Sequence, residues 1–284
     1  MLDRSEVGKR GYLKENFRLF HLRDSRAQKL DYHYHEFDKV ILLLSGKVTY
    51  VVEGKSYFLK PGDILLVRHN MIHLPEIDPS EPYERMVLWL GEDFLEQHAR
   101  DGESLSDCFA LTHERSFHLL RGSSELRKKY LALFQSLEEA LHEESFGHSL
   151  LADTYFLQLL IHLNRDIRED RTAEMTETYR FDPKIEEIMR YVESNPAEDL
   201  SVEAISRRFF LSRYYLMHRF KEISGYTLHQ YVNQKRIQYA GELLKKGTAV
   251  TTPSEMAGFG EYSTFLRAFQ NTYHMSPREF QGQM

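Results

Sequence analysis

The chain has 284 residues, 42% of them hydrophobic and 28% charged, which is typical of a folded globular protein and leaves room for two domains. Its longest apolar runs are too short to span a membrane, its N-terminal segment has no signal-peptide core, and a single cysteine, Cys108, excludes an intrachain disulfide, so we expect a cytoplasmic protein without a membrane partner. The net charge of −6 is uneven, because residues 201–284 carry 11 lysines and arginines against 6 acidic residues, and this favours a polyanionic partner for that segment.

Short apolar segments and turn signals alternate over residues 12–90. The turns are Ser45-Gly46, Glu53-Gly54 and Pro61-Gly62-Asp63, at roughly the spacing of β-hairpins. This pattern predicts an all-β barrel or a two-sheet roll, and we assign residues 1–95 to it.

A pair of histidines precedes the apolar run at residues 40–44. In a strand, His33 and His35 point to the same face, as a metal site requires. The same alternation places Lys39 on that face, at the position where a carboxylate would complete the site. A lysine cation repels a metal ion and removes the charge that would balance it. The segment therefore allows a metal centre, a pocket without metal, or histidines that only form local hydrogen bonds.

The period of the apolar residues becomes helical from about residue 123 to residue 167, and we assign residues 96–170 to a helical segment. One stripe is formed by Leu126, Tyr130, Leu133, Leu137 and Leu141, and a second, after Gly147, by Leu150, Leu151, Thr154, Leu157 and Ile161. We predict an antiparallel helix pair that covers the barrel or pairs with a second subunit, and we expect a homodimer. Residues 168–178 are polar without periodicity, and we assign residues 171–182 as a linker.

The segment from residue 200 to residue 225 predicts two short helices joined by a tight turn. Ser201 and Ser212 are placed to cap the two helices. Leu216 and Phe220 face inward on the second helix. The exposed side then carries aromatic, basic and hydrogen-bonding groups, as a helix that enters the major groove does. These candidate DNA-contacting residues are Arg213, Tyr214, Met217 and His218.

A long helix is predicted next, and residues 255–277 then repeat the two-helix scheme. Phe265 and Phe269 face inward in this repeat. The exposed positions, and the candidate DNA contacts, are Tyr262, Ser263, Leu266 and Arg267. Two helix-turn-helix units on one connecting helix could enter successive major grooves on one face of DNA.

These C-terminal residues resemble the DNA-binding domain of the AraC/XylS family of transcription regulators. The matching positions are Ser212, Leu216, Phe220, Lys221, Gly225, Arg236, Ala240, Leu243, Leu244, Gly258, Phe259, Ser263, Phe265, Arg267, Phe269, Ser276 and Pro277. The sequence departs from the family at Pro253 and Ser254, where an isoleucine–alanine pair is usual, at His274, a usual glycine, and at Gln281, a usual arginine. Because proline cannot continue a helix, we expect the helix at Pro253 to start late and to be short.

The N-terminal segment resembles the cupin-type domain that many of these regulators carry. The resemblance rests on His33, His35, Gly46, the turn at residues 61–63 and His73. It maps the metal ligands of metal-binding cupins, three histidines and a carboxylate, onto His33, His35, His73 and Lys39. Because Lys39 replaces the carboxylate, we predict that these four residues line an effector pocket that holds no metal, although three histidines alone can bind zinc.

Together these features predict an α+β multidomain protein. A cupin-like β-barrel (1–95) and an antiparallel helix pair (96–170) precede an all-α domain with two helix-turn-helix units (183–284). The resemblance implies a DNA-binding transcription regulator that is not an enzyme, needs no cofactor, and responds to a sugar or an anionic metabolite. Its expected partners are promoter DNA, the effector, a second copy of the chain and, as a further candidate, RNA polymerase. The alternatives are a metal-dependent cupin enzyme and a DNA-binding dimer without a ligand.

Overall fold

The computed structural model describes residues 8–9, 13, 15–24, 31–169, 179–180, 182–250 and 252–282. These residues form two compact units, which divide between Arg180 and Asp182. Most of the linker predicted at residues 171–182 lies outside the described residues.

The first unit begins with a β-domain made of two sheets. One sheet has the strand order β1-β3-β8-β5-β6-β11 and the other has the order β10-β7-β4-β9-β2. The strands are β1 (Gly8–Lys9), β2 (Phe17–Asp24), β3 (His33–Tyr34), β4 (Asp38–Ser45), β5 (Val48–Val52), β6 (Lys55–Leu59), β7 (Ile64–Val67), β8 (His73–Ile77), β9 (Tyr83–Leu90), β10 (Leu119–Leu120) and β11 (Tyr179–Arg180).

The period-2 pattern of β4 explains how the two sheets are packed. Ile41 and Leu43 lie in a core between the sheets, whereas Val40 and Leu42 lie in a second core under the helices. β4 is therefore apolar on both faces. Among the described residues the two sheets share no hydrogen-bonded strand pair, so the predicted cupin-like domain has the form of a two-sheet roll rather than a closed barrel.

Local turn chemistry sets the register of the hairpins. Glu53 and Gly54 join β5 to β6 with φ angles of 44° and 76°. Two consecutive positive φ angles are typical of the type I′ turn, whose twist suits a two-residue hairpin. The predicted turn at Glu53-Gly54 is thereby confirmed, and it aligns Val52 with Lys55.

Helices cover one face of the five-stranded sheet. They are α1 (Glu92–Gln97), α2 (Asp107–Glu114), α3 (Ser124–His142) and α4 (His148–Arg168). The short connection between α3 and α4 folds α4 back against α3, as predicted. Phe134 of α3 and Phe156 of α4 are fully buried in the core beneath them.

The face of α4 that the structure buries is not the predicted apolar stripe. The buried apolar residues are Ala152, Phe156, Leu159, Leu160, Leu163 and Ile167. Of the predicted stripe, Leu157 is partly buried, while Leu150, Leu151 and Ile161 are exposed. Both faces of α4 are apolar, so periodicity did not show which face packs in the monomer, and the exposed stripe remains for the predicted alternative of pairing with a second subunit.

The second unit is all-helical. Its helices are α5 (Pro183–Ser194), α6 (Val202–Arg208), α7 (Arg213–Ser224), α8 (Leu228–Lys245), α9 (Thr252–Met256), α10 (Tyr262–Tyr273) and α11 (Pro277–Gln281). Among the described residues, no helix is both long and apolar enough to cross a membrane.

Capping side chains and proline define the ends of these helices. Ser201 accepts a hydrogen bond from the amide of Ala204, and Ser212 accepts one from Tyr215, as their sequence positions predict. α9 is only five residues long, which confirms the short helix expected at Pro253. His274 ends α10 with a left-handed φ of 57°, the conformation that makes glycine usual at that position.

Candidate functional site

The three predicted histidines meet at one end of the space between the two sheets. His33 and His73 are paired across β3 and β8, and their ring centroids lie 4.3 Å apart. The ring of His35 lies 5.1 Å from each of them. Backbone carbonyls orient two of the rings, because Nδ1 of His33 lies 2.9 Å from Asp31 O and Nδ1 of His73 lies 2.9 Å from Met71 O.

Lys39 reaches this cluster from the opposite sheet. The predicted continuous strand is interrupted by a bend at residues 36–37, so β3 and β4 belong to different sheets. The alternation argument was therefore incorrect, but Lys39 still points inward. Its Nζ lies 2.7 Å from His73 Nε2 and 3.3 Å from His35 Nε2. The structure thus brings all four predicted pocket residues together and buries them.

Burial determines the protonation of the cluster. Together with the charge of Arg85, which contributes less, it lowers the pKa of Lys39 to about 7. Burial, followed by the charge of Lys39, holds the pKa of His73 well below its usual range. His73 is therefore neutral, and since its Nδ1 donates to Met71 O, its Nε2 accepts a hydrogen bond from Lys39.

Sequence reasoning missed the aromatic and cationic residues beside this cluster. The ring centroid of Trp89 in β9 lies 5.7 Å from the ring centroid of His35. The Arg85 guanidinium covers the Tyr83 ring at 4.2 Å and pairs with Asp24. The alternation of Tyr83, Arg85, Val87 and Trp89 along β9 was the available signal, but the sequence did not show which face of that strand meets the histidines.

The cluster fits a cupin metal centre only in part. One ligand nitrogen from each of His33, His35 and His73 can be chosen so that all three lie within 4.8 Å of one another. Backbone carbonyls hold two of the rings as they do in many metal sites. However, Lys39 Nζ already contacts the Nε2 atoms of His35 and His73, and the carboxylate position is a potential cation. The complete donor set therefore does not fit the metal centre.

The first helix-turn-helix unit presents its predicted residues on the surface. Arg213, Tyr214, Met217 and His218 are exposed on α7, while Leu216 and Phe220 are fully buried beneath them. The rings of Tyr214 and His218 lie 4.2 Å apart, which limits their rotation. Arg213 forms an exposed ion pair of 2.8 Å with Glu203, a contact that a phosphate could replace.

The second helix-turn-helix unit follows the same plan on α10. Tyr262, Ser263 and Arg267 are exposed and Leu266 is partly exposed, above the buried Phe265 and Phe269. Arg236 in α8 donates hydrogen bonds of 2.9 Å to Pro196 O and 2.8 Å to Glu198 O. These bonds join the connecting helix α8 to the segment before the first helix-turn-helix unit. They give both candidate DNA-contacting faces a stiff support.

Two exposed aromatic residues of the first helix-turn-helix unit were not predicted as DNA contacts. Tyr215 lies on α7 beside Tyr214, and Phe210 lies in the turn before α7 with a left-handed φ of 55°. A groove of about 790 Å³ also borders α7, with Met217, Lys221 and Leu228 among its lining residues. An exposed phenylalanine in a strained turn is a signal that hydrophobic periodicity does not report.

Comparison with known proteins agrees with this arrangement. The family model described as AraC-like ligand binding domain matches residues 19–160, and the one described as helix-turn-helix domain matches residues 205–283. The HTH-type transcriptional activator RhaS of Salmonella schwarzengrund is 24% identical over 251 residues, which are 87% of this chain and 86% of that protein. RhaS of Salmonella typhimurium gives the same values.

The solved structures to which the chain shows similarity include ToxT from Vibrio cholerae bound to an unsaturated fatty acid. That comparison covers 95% of this chain and 97% of ToxT, with 16% identity and a TM-score of 0.37. The ligand-binding family model alone spans half of the chain, and the helix-turn-helix model accounts for most of the all-helical compact unit. The chain therefore belongs to the AraC family of DNA-binding transcription regulators that carry a ligand-binding domain.

Proposed function

We propose that a small molecule, a sugar or an anionic metabolite, binds at Lys39, His33, His35 and His73 and changes how the protein binds promoter DNA. The observation that supports this proposal is the convergence of four buried polar side chains in the domain that the ligand-binding model matches. Buried polar groups need hydrogen-bonding partners, and the acceptor oxygens of a sugar or a carboxylate would supply them to Lys39.

A stability screen on the full-length protein tests effector binding. A ligand that binds only the native state raises its stability, by about 2.7 kcal/mol at one hundred times its Kd. Trp89 is the only tryptophan and lies beside the cluster, so its fluorescence reports unfolding of the first unit. We expect a ligand that stabilises the wild-type protein to lose this effect in Lys39→Met. If the alternative is correct and the protein binds DNA without a ligand, no compound in the screen will raise its stability.

The metal content of the protein separates a pocket without metal from a metal centre. We expect protein that has never met nickel resin or chelator to contain no stoichiometric metal, because Lys39 occupies the lone pairs that an ion would need. Lys39→Glu restores a carboxylate, so it should raise the affinity for zinc. Elemental analysis is the measurement. About one equivalent of zinc, iron or manganese that is lost in His33→Ala would refute this prediction.

The proposed assembly is a dimer of two copies joined through α4. Its exposed face carries a row of apolar residues at helical spacing, and Leu150 is 72% exposed. Leu141 at the end of α3 and Phe146 in the connection extend this apolar surface. Contiguous apolar surface of this kind marks an interaction site more often than single exposed residues do.

Regulation of this kind requires sequence-specific DNA binding by both helix-turn-helix units. We expect Arg267→Ala to cost about 1–3 kcal/mol of binding to the preferred site and to relax the preference at one base pair. Affinity measured on a panel of sites with single substitutions is the test. Arg190→Ala removes the same charge from an exposed position on α5 and is the control. A mutant that binds every site as tightly as the wild type would show that Arg267 contacts no base.

The relatives support activation as the sign of regulation. RhaS is named a transcriptional activator, and it matches this chain along most of both lengths. We propose that this protein is also an activator and contacts RNA polymerase when bound at a promoter. In vitro transcription from a bound promoter, with and without the protein, tests this step.

A further inference from the structure

The amine of Lys39 has an unusual set of neighbours. Its side chain is buried, and its two polar contacts among the described residues are with the imidazoles of His73 and His35. A neutral amine has two hydrogens and one lone pair. If those hydrogens go to the two Nε2 atoms, the lone pair remains for another reaction partner.

The surrounding charges favour the neutral form of this amine. No carboxylate in the described part of the chain forms an ion pair with Lys39, and the charged group that acts on it is the Arg85 guanidinium. Burial without a carboxylate partner disfavours the charged form of this amine. Buried lysines, and lysines close to another cation, are the ones that act as nucleophiles towards carbonyl compounds.

We propose that Lys39 Nζ forms an imine with the carbonyl carbon of an aldehyde or ketone effector. This inference rests on the proposed function and specifies its ligand class. The nitrogen lone pair attacks the carbonyl carbon, and the carbonyl oxygen takes up a proton to give a carbinolamine. The nitrogen then loses its second hydrogen, the hydroxyl group leaves as water, and a C=N bond forms.

The histidines are placed to move the protons of this reaction. His73 Nε2 lies 2.7 Å from Nζ and accepts its hydrogen bond, so it can take a proton from the attacking nitrogen. The same imidazole can return a proton to the departing hydroxyl group. No oxidant or reductant is consumed, and hydrolysis of the imine would release the effector unchanged.

Trapping with hydride tests this reaction on the full-length protein. The probes are glyceraldehyde and pyruvate, each supplied with sodium cyanoborohydride at pH 7, which reduces an imine to a stable secondary amine. Peptide mapping by mass spectrometry then locates the added mass. We expect Lys39 to carry the adduct of at least one probe at roughly tenfold or more the occupancy of surface lysines, because a lysine of ordinary pKa is almost fully protonated.

Two other lysines are internal controls in the same digest. Lys47 is exposed, and the hydrogen bond and charge of Glu81 raise its pKa, so it should react slowly. Lys55 is buried like Lys39 but donates its hydrogen bond to Ser116 O, a backbone carbonyl, and should stay unmodified. Lys39→Arg should abolish the main adduct, whereas Lys47→Arg should leave the Lys39 adduct unchanged.

Two results would overturn the inference. One is Lys39 occupancy no higher than that of Lys47 with both probes, and the other is an equal total yield of adduct in Lys39→Arg. If either is found while the protein still binds promoter DNA and is stabilised by an effector, covalent capture fails and the proposed function stands. If the protein neither binds DNA nor is stabilised by an effector, the proposed function is refuted as well.

Discussion

Leu150→Asp combined with Ile161→Asp is expected to convert the proposed dimer into a folded monomer. Both side chains are exposed on α4, so the charges should leave the core of each subunit intact while preventing apolar contact between subunits. Affinity for DNA with two sites should fall about 10²–10⁴-fold, because linked domains no longer raise the effective concentration at the second site. Affinity for a single site should stay unchanged. Light scattering and DNA titration are the measurements.

Matched variants separate this effect from damage to the fold. Gln135→Asp adds one negative charge, half the change in the double variant, at an exposed position of α3 and should leave the proposed dimer intact. Leu133 and Leu157 are partly buried and pack against the core, so aspartate at either position should destabilise the subunit itself. A double variant that is still dimeric at micromolar concentration would place the interface elsewhere.

Asp63→Asn is expected to destabilise the first unit by about 3–5 kcal/mol, because it leaves the charge of Arg121 without its buried partner. Asp63 is fully buried after the turn at Pro61 and Gly62. Its carboxylate accepts hydrogen bonds of 2.9 Å from Arg121 Nε and 2.7 Å from the amide of Lys60. Urea unfolding followed by the fluorescence of Trp89 measures this loss.

An exposed ion pair in the same unit provides the control for Asp63. Glu81 lies 2.8 Å from Lys47, and both side chains are largely open to solvent. Glu81→Gln should change the free energy of unfolding very little, because water screens exposed pairs. Equal destabilisation by the two substitutions would mean that the buried pair does not anchor the turn.

The sequence by itself determined the features that depend on local chemistry. Ser201 and Ser212 cap their helices, and Pro253 shortens α9, because capping and helix breaking act within one turn of the chain. The repeat of two short helices, together with the basic charge of this segment and its resemblance to the AraC/XylS family, predicted the DNA-binding fold. The exposed position of Arg267 followed from the same helical period.

Only the tertiary structure decided which of two apolar faces is buried and which residues meet across the sheets. α4 is apolar on both sides, and Phe156 rather than Leu150 packs in the core because the five-stranded sheet lies on that side. Lys39 meets His73 although the two residues lie in different sheets, and Arg85 joins from a third strand. Such contacts depend on how strands are arranged in space, and residue spacing along the chain carries no record of that.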